Sequence, residues 1–165
     1  MNDYSKKIAL YGFFTALSLV LSYAETLIPV SLPVPGAKIG LANIVTVFCL
    51  YTLTAKETIL VSVLRVLLQG FLFGNLFAII YSLAGCLFSF AVMILLKRSG
   101  RFSPVGVSAA GGVFHNAGQL AAAAALCGPS VFAYLPYLFA AGILSGIIIG
   151  IAGGIIVQRI KNVVK

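Results

Sequence analysis

The stretch Ala133–Val157, AYLPYLFAAGILSGIIIGIAGGIIV, runs for 25 residues without one charged side chain. A helix needs about 20 predominantly apolar residues to cross the hydrocarbon core of a bilayer. The stretch meets that length, and the chain becomes charged again only at Arg159 and Lys161. It therefore predicts a transmembrane helix near the C-terminal end of the sequence.

The rest of the chain has the same character. Of its 165 residues, 61% are hydrophobic and 8% are charged, and the mean hydropathy is +1.13. Soluble domains have roughly a quarter of their residues charged, so this chain lacks the charge to cover a water-facing surface. We therefore expect an integral membrane protein rather than an apolar soluble domain.

Other apolar segments are separated by proline, glycine or charged connections. They predict spans at Ile8–Ala24, Thr58–Gly74, Asn75–Leu96 and Val105–Cys127, and a shorter one at Ile39–Leu53. For the short segment, a tilted helix, a re-entrant helix or a helix preceded by an interfacial stretch is an alternative to a full crossing. Residues 1–165 are thus predicted to form one transmembrane domain, an all-α bundle of about six helices in which the tight connection at Gly74 makes its two helices neighbours.

Basic residues predict the orientation, because basic loops stay on the cytoplasmic side. With the N-terminus inside, the external side keeps only Lys38. The cytoplasmic segments then carry Lys6, Lys7, Lys56, Lys97, Arg98, Arg101, Arg159, Lys161 and Lys165. We therefore expect a multi-pass plasma-membrane protein with both termini in the cytoplasm. Its net charge of +8 would lie beside anionic lipid headgroups, so it does not indicate a nucleic-acid partner.

Several polar side chains interrupt the predicted spans, although such groups are costly at membrane depth. They are Asn43, Arg65, Gln69, Asn75, His115, Asn116 and Gln119. Two pairs, Arg65 with Gln69 and His115 with Gln119, are four residues apart, so each pair shares a helix face. In the predicted orientation, separate helices place these groups between the external surface and the middle of the bilayer. This convergence predicts one cavity open to the outside.

The same orientation places Glu25 and Lys38 near the external mouth of that cavity. Aromatic residues, namely Phe73, Phe77 and Tyr81, would form its apolar walls.

A purely structural role for the polar groups remains open. Interhelical hydrogen bonds of Asn, Gln and His are common and contribute about 1 kcal/mol each. For Asn43, Asn75 and Asn116 taken singly, this role is at least as well supported as a ligand contact. Arg65 differs, because inserting it costs about 2.5–3.5 kcal/mol and no acidic residue lies within a predicted span. It could reach toward the cytoplasmic side, cap carbonyl groups or meet an anionic ligand, and we favour the ligand.

Small residues recur four apart in the first and last spans, a spacing that lets helices approach closely. These are Gly12 and Ala16, Ser18 and Ser22, and Gly142, Gly146 and Gly150. For the last span we expect packing within the bundle. For the first span, docking of a helix from a partner remains open.

The sequence lacks the groups that independent catalysis needs. Its three acidic residues form no cluster that could hold magnesium for prenyl-diphosphate chemistry, and nothing matches the ATP-binding pattern GxxxxGK[ST]. His115 is the only histidine, and the three cysteines stand apart. We predict no catalytic residue, no metal site and no cofactor. The expected partners are the lipid bilayer, a small-molecule ligand and a subunit that supplies energy or catalysis.

Three segments carry a family resemblance: Pro33–Leu53, Leu64–Gly85 and Gly111–Leu120. They contain K-x-G-L-A-N, a mid-helix Arg followed by F-G-N, and H-N-x-G-Q. The chain resembles, over nearly its whole length, a small membrane family labelled the Gx transporter family or heptaprenyl diphosphate synthase component I. That family is similar to the S components of energy-coupling factor transporters, which are six-helix vitamin-binding proteins. They open outward and dock on a separate ATPase module through small residues of the first helix.

The resemblance implies which positions fall in the family's motifs. These are Lys38, Gly40, Asn43, Arg65, Gly74, Asn75, His115, Asn116 and Gln119, with Gly12 and Ala16 on the docking face. Together with the residue chemistry, the predicted substrate-binding set is Lys38, Asn43, Arg65, Gln69, Asn75, Tyr81, His115, Asn116 and Gln119. The likeness does not identify a vitamin.

Three hypotheses follow. The first is a membrane binding or transport subunit that captures a small anionic or polar solute from outside, energised by a partner. The second is a non-catalytic accessory subunit of polyprenyl diphosphate synthesis. The third is a scaffold within a membrane redox or quinone assembly, in which the polar groups only hold helices together.

Overall fold

A computed structural model describes residues 2–27 and 40–163, with side chains as far as Ile160. These residues form six α-helices and one short 3-10 helix, Pro129–Tyr134. The helices are α1 (Asp3–Leu27), α2 (Asn43–Thr52), α3 (Ala55–Phe73), α4 (Leu76–Ser99), α5 (Pro104–Cys127) and α6 (Leu135–Val163). Each of the five long predicted spans coincides with most of one helix.

Local signals in the sequence explain where several helices begin and end. Thr54 and Glu57 form a reciprocal capping box at the start of α3, and the side chain of Asn75 accepts from the backbone N–H of Ala78 at the start of α4. Ser103 caps α5 in the same way, just before Pro104. The connections that lead into α3, α4 and α5 are therefore short and well defined.

The short second helix differs from the predicted span Ile39–Leu53. In α2, 10 residues rise only about 15 Å, half of the ~30 Å hydrocarbon core. Gly40 has a left-handed backbone (φ +83°), and residues 40–42 form a turn from which the N–H of Asn43 bonds back to the Gly40 carbonyl. Because this turn replaces the first helical residues, the helical part of the segment is shorter than predicted.

The helices pack in a closed order. α5 lies between α4 and α6, α6 also contacts α2, and α3 contacts α4, α2 and α1. The contact between α3 and α4 confirms that the two helices joined at Gly74 are neighbours. α1 packs on α3 and slightly on α2, so much of its surface faces away from the bundle.

The glycines of α6 let it approach α5 closely. A Cβ atom on Gly142 would lie 2.7 Å from the Gly112 carbonyl oxygen, and one on Gly146 would lie 2.6 Å from the Ala109 Cα. A Cβ on Gly150 would similarly lie 2.7 Å from a backbone atom of Val105. These glycines therefore pack within the bundle, as predicted for the last span.

The apolar core lies toward the end of the bundle that holds the N-terminus of α1 and the C-terminus of α6. One cluster joins α2, α4, α5 and α6 through Val47, Leu50, Phe90, Met93, Val107 and Ile149. A smaller one joins α1, α2 and α3 through Phe14, Val45, Cys49 and Val61. The opposite end of the bundle is filled differently, by polar side chains around a cavity.

The outer surface of the bundle is rich in large apolar side chains, such as Phe71, Leu76 and Leu95, each about two-thirds exposed or more. Three described helical stretches, Asp3–Leu27, Leu76–Ser99 and Pro129–Ile160, are long and apolar enough to cross a membrane.

Candidate functional site

A cavity of about 210 Å³ lies at the end of the bundle opposite the N-terminus of α1 and the C-terminus of α6. It receives residues from all six helices and from the turn before α2. Seven of the predicted residues line it: Asn43, Arg65, Gln69, Tyr81, His115, Asn116 and Gln119. The structure therefore brings together polar groups that are separated by up to 76 positions in the sequence.

Two predicted residues are not part of this lining. Asn75 is exposed and uses its side-chain oxygen to cap α4, with 2.9 Å to the N–H of Ala78. Lys38 lies outside the described residues. Of the expected aromatic walls, only Tyr81 lines the cavity, since the side chains of Phe73 and Phe77 are 49% and 58% exposed and lie outside its lining.

Arg65 lies in the middle of α3 and is 8% exposed. Its Nη1 and Nη2 atoms donate to the side-chain oxygens of Gln69 and Asn43, at 3.4 Å each, which is long for such bonds. Its Nε is buried without a hydrogen-bonding partner among the described residues. Among the described residues, the guanidinium therefore hydrogen-bonds only to neutral side-chain amides and caps no backbone carbonyl.

Glu25, at the C-terminal end of α1, lines the same cavity as Arg65. Its Oε1 accepts from the backbone N–H of Gly40 at 2.5 Å. The left-handed conformation of Gly40 thus has two local consequences: it presents an N–H to Glu25, and it starts the turn that leads into Asn43.

His115 and Gln119 face α4 from one side of α5. A Cβ atom on Gly85 would lie 2.8 Å from Gln119 Cγ and 3.0 Å from His115 Nε2. Gly118, between them on α5, makes the reciprocal approach, because its Cβ would lie 2.7 Å from the Ala84 carbonyl oxygen. Small residues on both helices therefore make room for the imidazole and amide groups beside the cavity.

Two lining residues also join helices. Asn116 Nδ2 donates to the Leu138 carbonyl oxygen at 2.5 Å, which ties α5 to α6. The Tyr81 hydroxyl lies 3.6 Å from Cys127 Sγ, which ties α4 to the end of α5. The interhelical role that was left open for Asn116 is thus present, alongside its position in the cavity lining.

The predicted substrate-binding set did not include four polar residues of the lining: Ser22, Glu25, Ser82 and Ser145. Ser22 was grouped with Ser18 as a small residue for close packing, and Glu25 was assigned to the mouth alone. The spacing of Ser22 and Glu25, three residues apart, is a signal that would have placed both on one face of the first helix.

The lining combines a buried cation, one carboxylate, an imidazole, amides and hydroxyls, a set suited to hydrogen-bonding a small polar ligand. Within residues 2–27 and 40–163, no three His, Cys, Asp or Glu side chains come together as a metal site would require.

The predicted docking residues lie on the outward face of α1. Gly12 and Ala16 are exposed, and a Cβ atom on Gly12 would meet nothing within 4 Å. Ser18 and Ser22, the other small pair, are buried against the bundle. The two small pairs of α1 thus face different surroundings.

Comparison with known proteins gives one match. A family model described as heptaprenyl diphosphate synthase component I matches residues 14–156, from the first half of α1 to the second half of α6. No curated protein and no solved structure matches the chain, so the predicted likeness to S components stays a prediction. The designation component I implies a partner subunit in a synthase complex. Since the match extends over most of the sequence, the chain belongs to the heptaprenyl diphosphate synthase component I family.

Proposed function

We propose that this chain is a membrane-embedded binding subunit that takes a small anionic, hydrogen-bonding solute into the cavity and acts with a partner polypeptide. The observation that carries the proposal is Arg65: a guanidinium 92% buried whose hydrogen bonds to the described residues are two long ones, both to neutral amide oxygens. Burying an unpaired charge costs several kcal/mol. An anion in the adjoining cavity would offset that cost and complete the hydrogen bonds of Arg65.

The membrane setting and the direction of access belong to the same proposal. Exposed apolar side chains cover the sides of the bundle, whereas Lys6, Lys7, Arg98 and Arg101 are exposed at the end away from the cavity. Basic residues favour the cytoplasmic side. This supports an arrangement in which both termini face the cytoplasm and the cavity opens to the outside.

The size of the cavity limits the solute. Pockets for drug-sized ligands are about 300–1,000 Å³, and this one is about 210 Å³. It could enclose a small molecule or the head group of a larger one, but not a long prenyl chain.

The proposal is tested by thermal unfolding of the purified, detergent-solubilised protein with inorganic phosphate, diphosphate, small carboxylates and acidic water-soluble vitamins. A ligand at 100 times its Kd stabilises the folded state by about 2.7 kcal/mol, so at least one anion is expected to raise the melting temperature by several degrees. The shift is expected to vanish in Arg65→Met and persist in Arg98→Met, which removes an exposed charge away from the cavity. Equal shifts in both variants, or no shift of the wild type with any anion or zwitterion, would refute the proposal.

A second candidate function is an accessory membrane subunit of prenyl diphosphate synthesis, and it is favoured by the family description. In that case the cavity would hold a phosphate-bearing head group while a separate subunit carries out catalysis. The expected result is co-purification with a soluble subunit that bears aspartate-rich motifs, and loss of long-chain product when this chain is deleted. Normal product formation without the chain would exclude this function.

A further inference from the structure

The cavity presents two opposite charges that are not paired with each other. Arg65 and Glu25 both line it, yet in the described part of the chain the ion pairs are formed elsewhere, by Lys6 with Asp3 and by Lys7 with Glu57. A guanidinium and a carboxylate that share a small cavity without forming an ion pair each keep the capacity to bind a charged group.

Two side chains of the cavity lining each have a buried polar atom without a partner among residues 2–27 and 40–160. These are Arg65 Nε and the hydroxyl oxygen of Ser22, whose side chains are 8% and 3% exposed. Most buried polar groups in proteins are hydrogen-bonded. A guanidinium N–H and a hydroxyl, supplied by α3 and α1, are both donors that suit the oxygens of one acidic group.

The side chain of Glu25 has the opposite chemistry. A carboxylate offers about four acceptor positions, and the described residues use one of them, through the N–H of Gly40. A ligand that carries negative charge over its whole length would be repelled there. An ammonium group would instead be attracted and could donate to the remaining acceptor positions.

We infer that the ligand is a small zwitterion of amino-acid type, with its acidic group at Arg65 and Ser22 and its ammonium group at Glu25. This inference rests on the proposed binding function and narrows its ligand class. The cavity of about 210 Å³ suits a molecule of that size. Ser22 and Glu25, three residues apart on α1, place the donor and the acceptor on one helix face.

Matched ligand series test the inference. The wild-type protein is unfolded thermally with free L-amino acids, with their N-acetyl derivatives, which lack the ammonium group, and with their amides, which lack the carboxylate. O-Phosphoethanolamine serves as a zwitterion with a phosphate in place of the carboxylate. At least one zwitterion is expected to raise the melting temperature by several degrees, and its N-acetyl and amide counterparts to bind at least tenfold more weakly.

A variant assigns the ammonium site. Glu25→Gln keeps an oxygen that can accept from Gly40, and it is expected to remove the preference for the free amine while retaining the preference for the carboxylate. Asp3→Asn, which removes an exposed carboxylate at the other end of α1, is expected to bind like the wild type. Because the ligand series are read on the wild type, the test does not depend on the folding of either variant.

The outcomes separate this inference from the function on which it rests. If an N-acetyl derivative or a simple anion stabilises as well as every zwitterion, the inference is overturned and the binding function stands. If neither zwitterions nor anions stabilise the wild type, both are overturned.

Discussion

Gly85 of α4 lies so close to His115 of α5 that a methyl group at residue 85 would be 2.8 Å from the His115 carbonyl oxygen and 3.0 Å from its Nε2. Atoms at such distances overlap, so a side chain at this position would force α4 and α5 apart. Since His115 lines the cavity, the spacing of these two helices also sets the position of the imidazole.

We expect Gly85→Ala to lower the free energy of unfolding by about 1–3 kcal/mol, as overpacking does, and to weaken ligand binding through displacement of His115 and Gln119. Gly106→Ala is the control, because its new Cβ would meet its nearest neighbour, Phe102, at 3.7 Å, an ordinary contact. Thermal unfolding and ligand titration measure both effects. Similar behaviour of the two variants would show that the close approach at Gly85 has no importance for the site.

Alanine variants of Gly40 and Gly100 distinguish the effect of backbone strain from the effect of contact with the cavity residues. Both are left-handed, with φ of +83° and +67°, so alanine at either position is expected to cost about 1–2 kcal/mol of stability. A Cβ on Gly40 would also lie 3.0 Å from Asn43 Nδ2, whereas one on Gly100 would meet nothing within 4 Å. Only Gly40→Ala is therefore expected to weaken binding in a ligand titration. Unchanged affinity in Gly40→Ala would show that the turn at Gly40 does not contribute to ligand binding.

The stability of the protein should depend on pH through Glu57, which lies in the first turn of α3, before the predicted span Thr58–Gly74. The hydroxyl of Tyr11 donates to Glu57 Oε1 at 2.5 Å, and the backbone N–H of Thr54 donates to Glu57 Oε2 at 2.8 Å. Both bonds favour the ionised carboxylate, so the pKa of Glu57 is lowered from 4.5 to about 2. Because the folded protein favours the ionised form, this contribution is present above pH 4.5 and is lost as the pH falls toward 2.

Tyr11→Phe removes the largest cause of that pKa shift. We expect it to lower the melting temperature at pH 7, and the difference from wild type to shrink as the pH falls from 4.5 to 2. Tyr4→Phe, at an exposed tyrosine of the same helix, is expected to have no such effect. A difference for Tyr11→Phe that stays constant over this pH range would contradict the assignment.

The long helices could be predicted from the sequence because apolar runs and capping residues are local features. The turn at Gly40 could not be predicted, because the apolar run Ile39–Leu53 continues through it. The backbone N–H of Gly40 is bonded by Glu25, which lies 15 residues earlier in the sequence. The length of the apolar run therefore overestimated the length of α2.

The site was predicted in part for a related reason. Polar groups in the middle of spans have few ways to be satisfied, so Arg65 and His115 stood out and do meet at one cavity. Asn75 was misleading, since Asn directly before a helix is also a common N-cap, and that is the bond it makes. Ser22 was missed because a small hydroxyl side chain fits close packing as well as it fits a cavity.

The outward face of α1 offers a test of partner docking. A Cβ on Gly12 would meet nothing within 4 Å. Gly12→Leu is therefore expected to change the free energy of unfolding by no more than about 0.5 kcal/mol. If a partner helix packs there, the added bulk should reduce co-purification of the partner subunit. Ala91→Leu, at an exposed small residue of α4, is the control and should leave co-purification unchanged. Equal recovery of the partner with both variants would exclude this face of α1 as the docking surface.

Asn116 distinguishes a binding protein from a scaffold. Asn116→Ala removes the hydrogen bond to the Leu138 carbonyl and is expected to cost about 1 kcal/mol of stability. Because Asn116 also lines the cavity, we expect ligand affinity to fall by about tenfold, the equivalent of one lost hydrogen bond.

Asn75→Ala is the matched control: loss of its cap should cost about 0.5–2 kcal/mol of stability and leave affinity unchanged, since Asn75 is outside the lining. Unfolding and titration of both variants decide the matter. If Asn116→Ala loses stability but retains full affinity, as Asn75→Ala should, its amide serves only to join α5 to α6, and the scaffold hypothesis gains the support that the binding hypothesis loses.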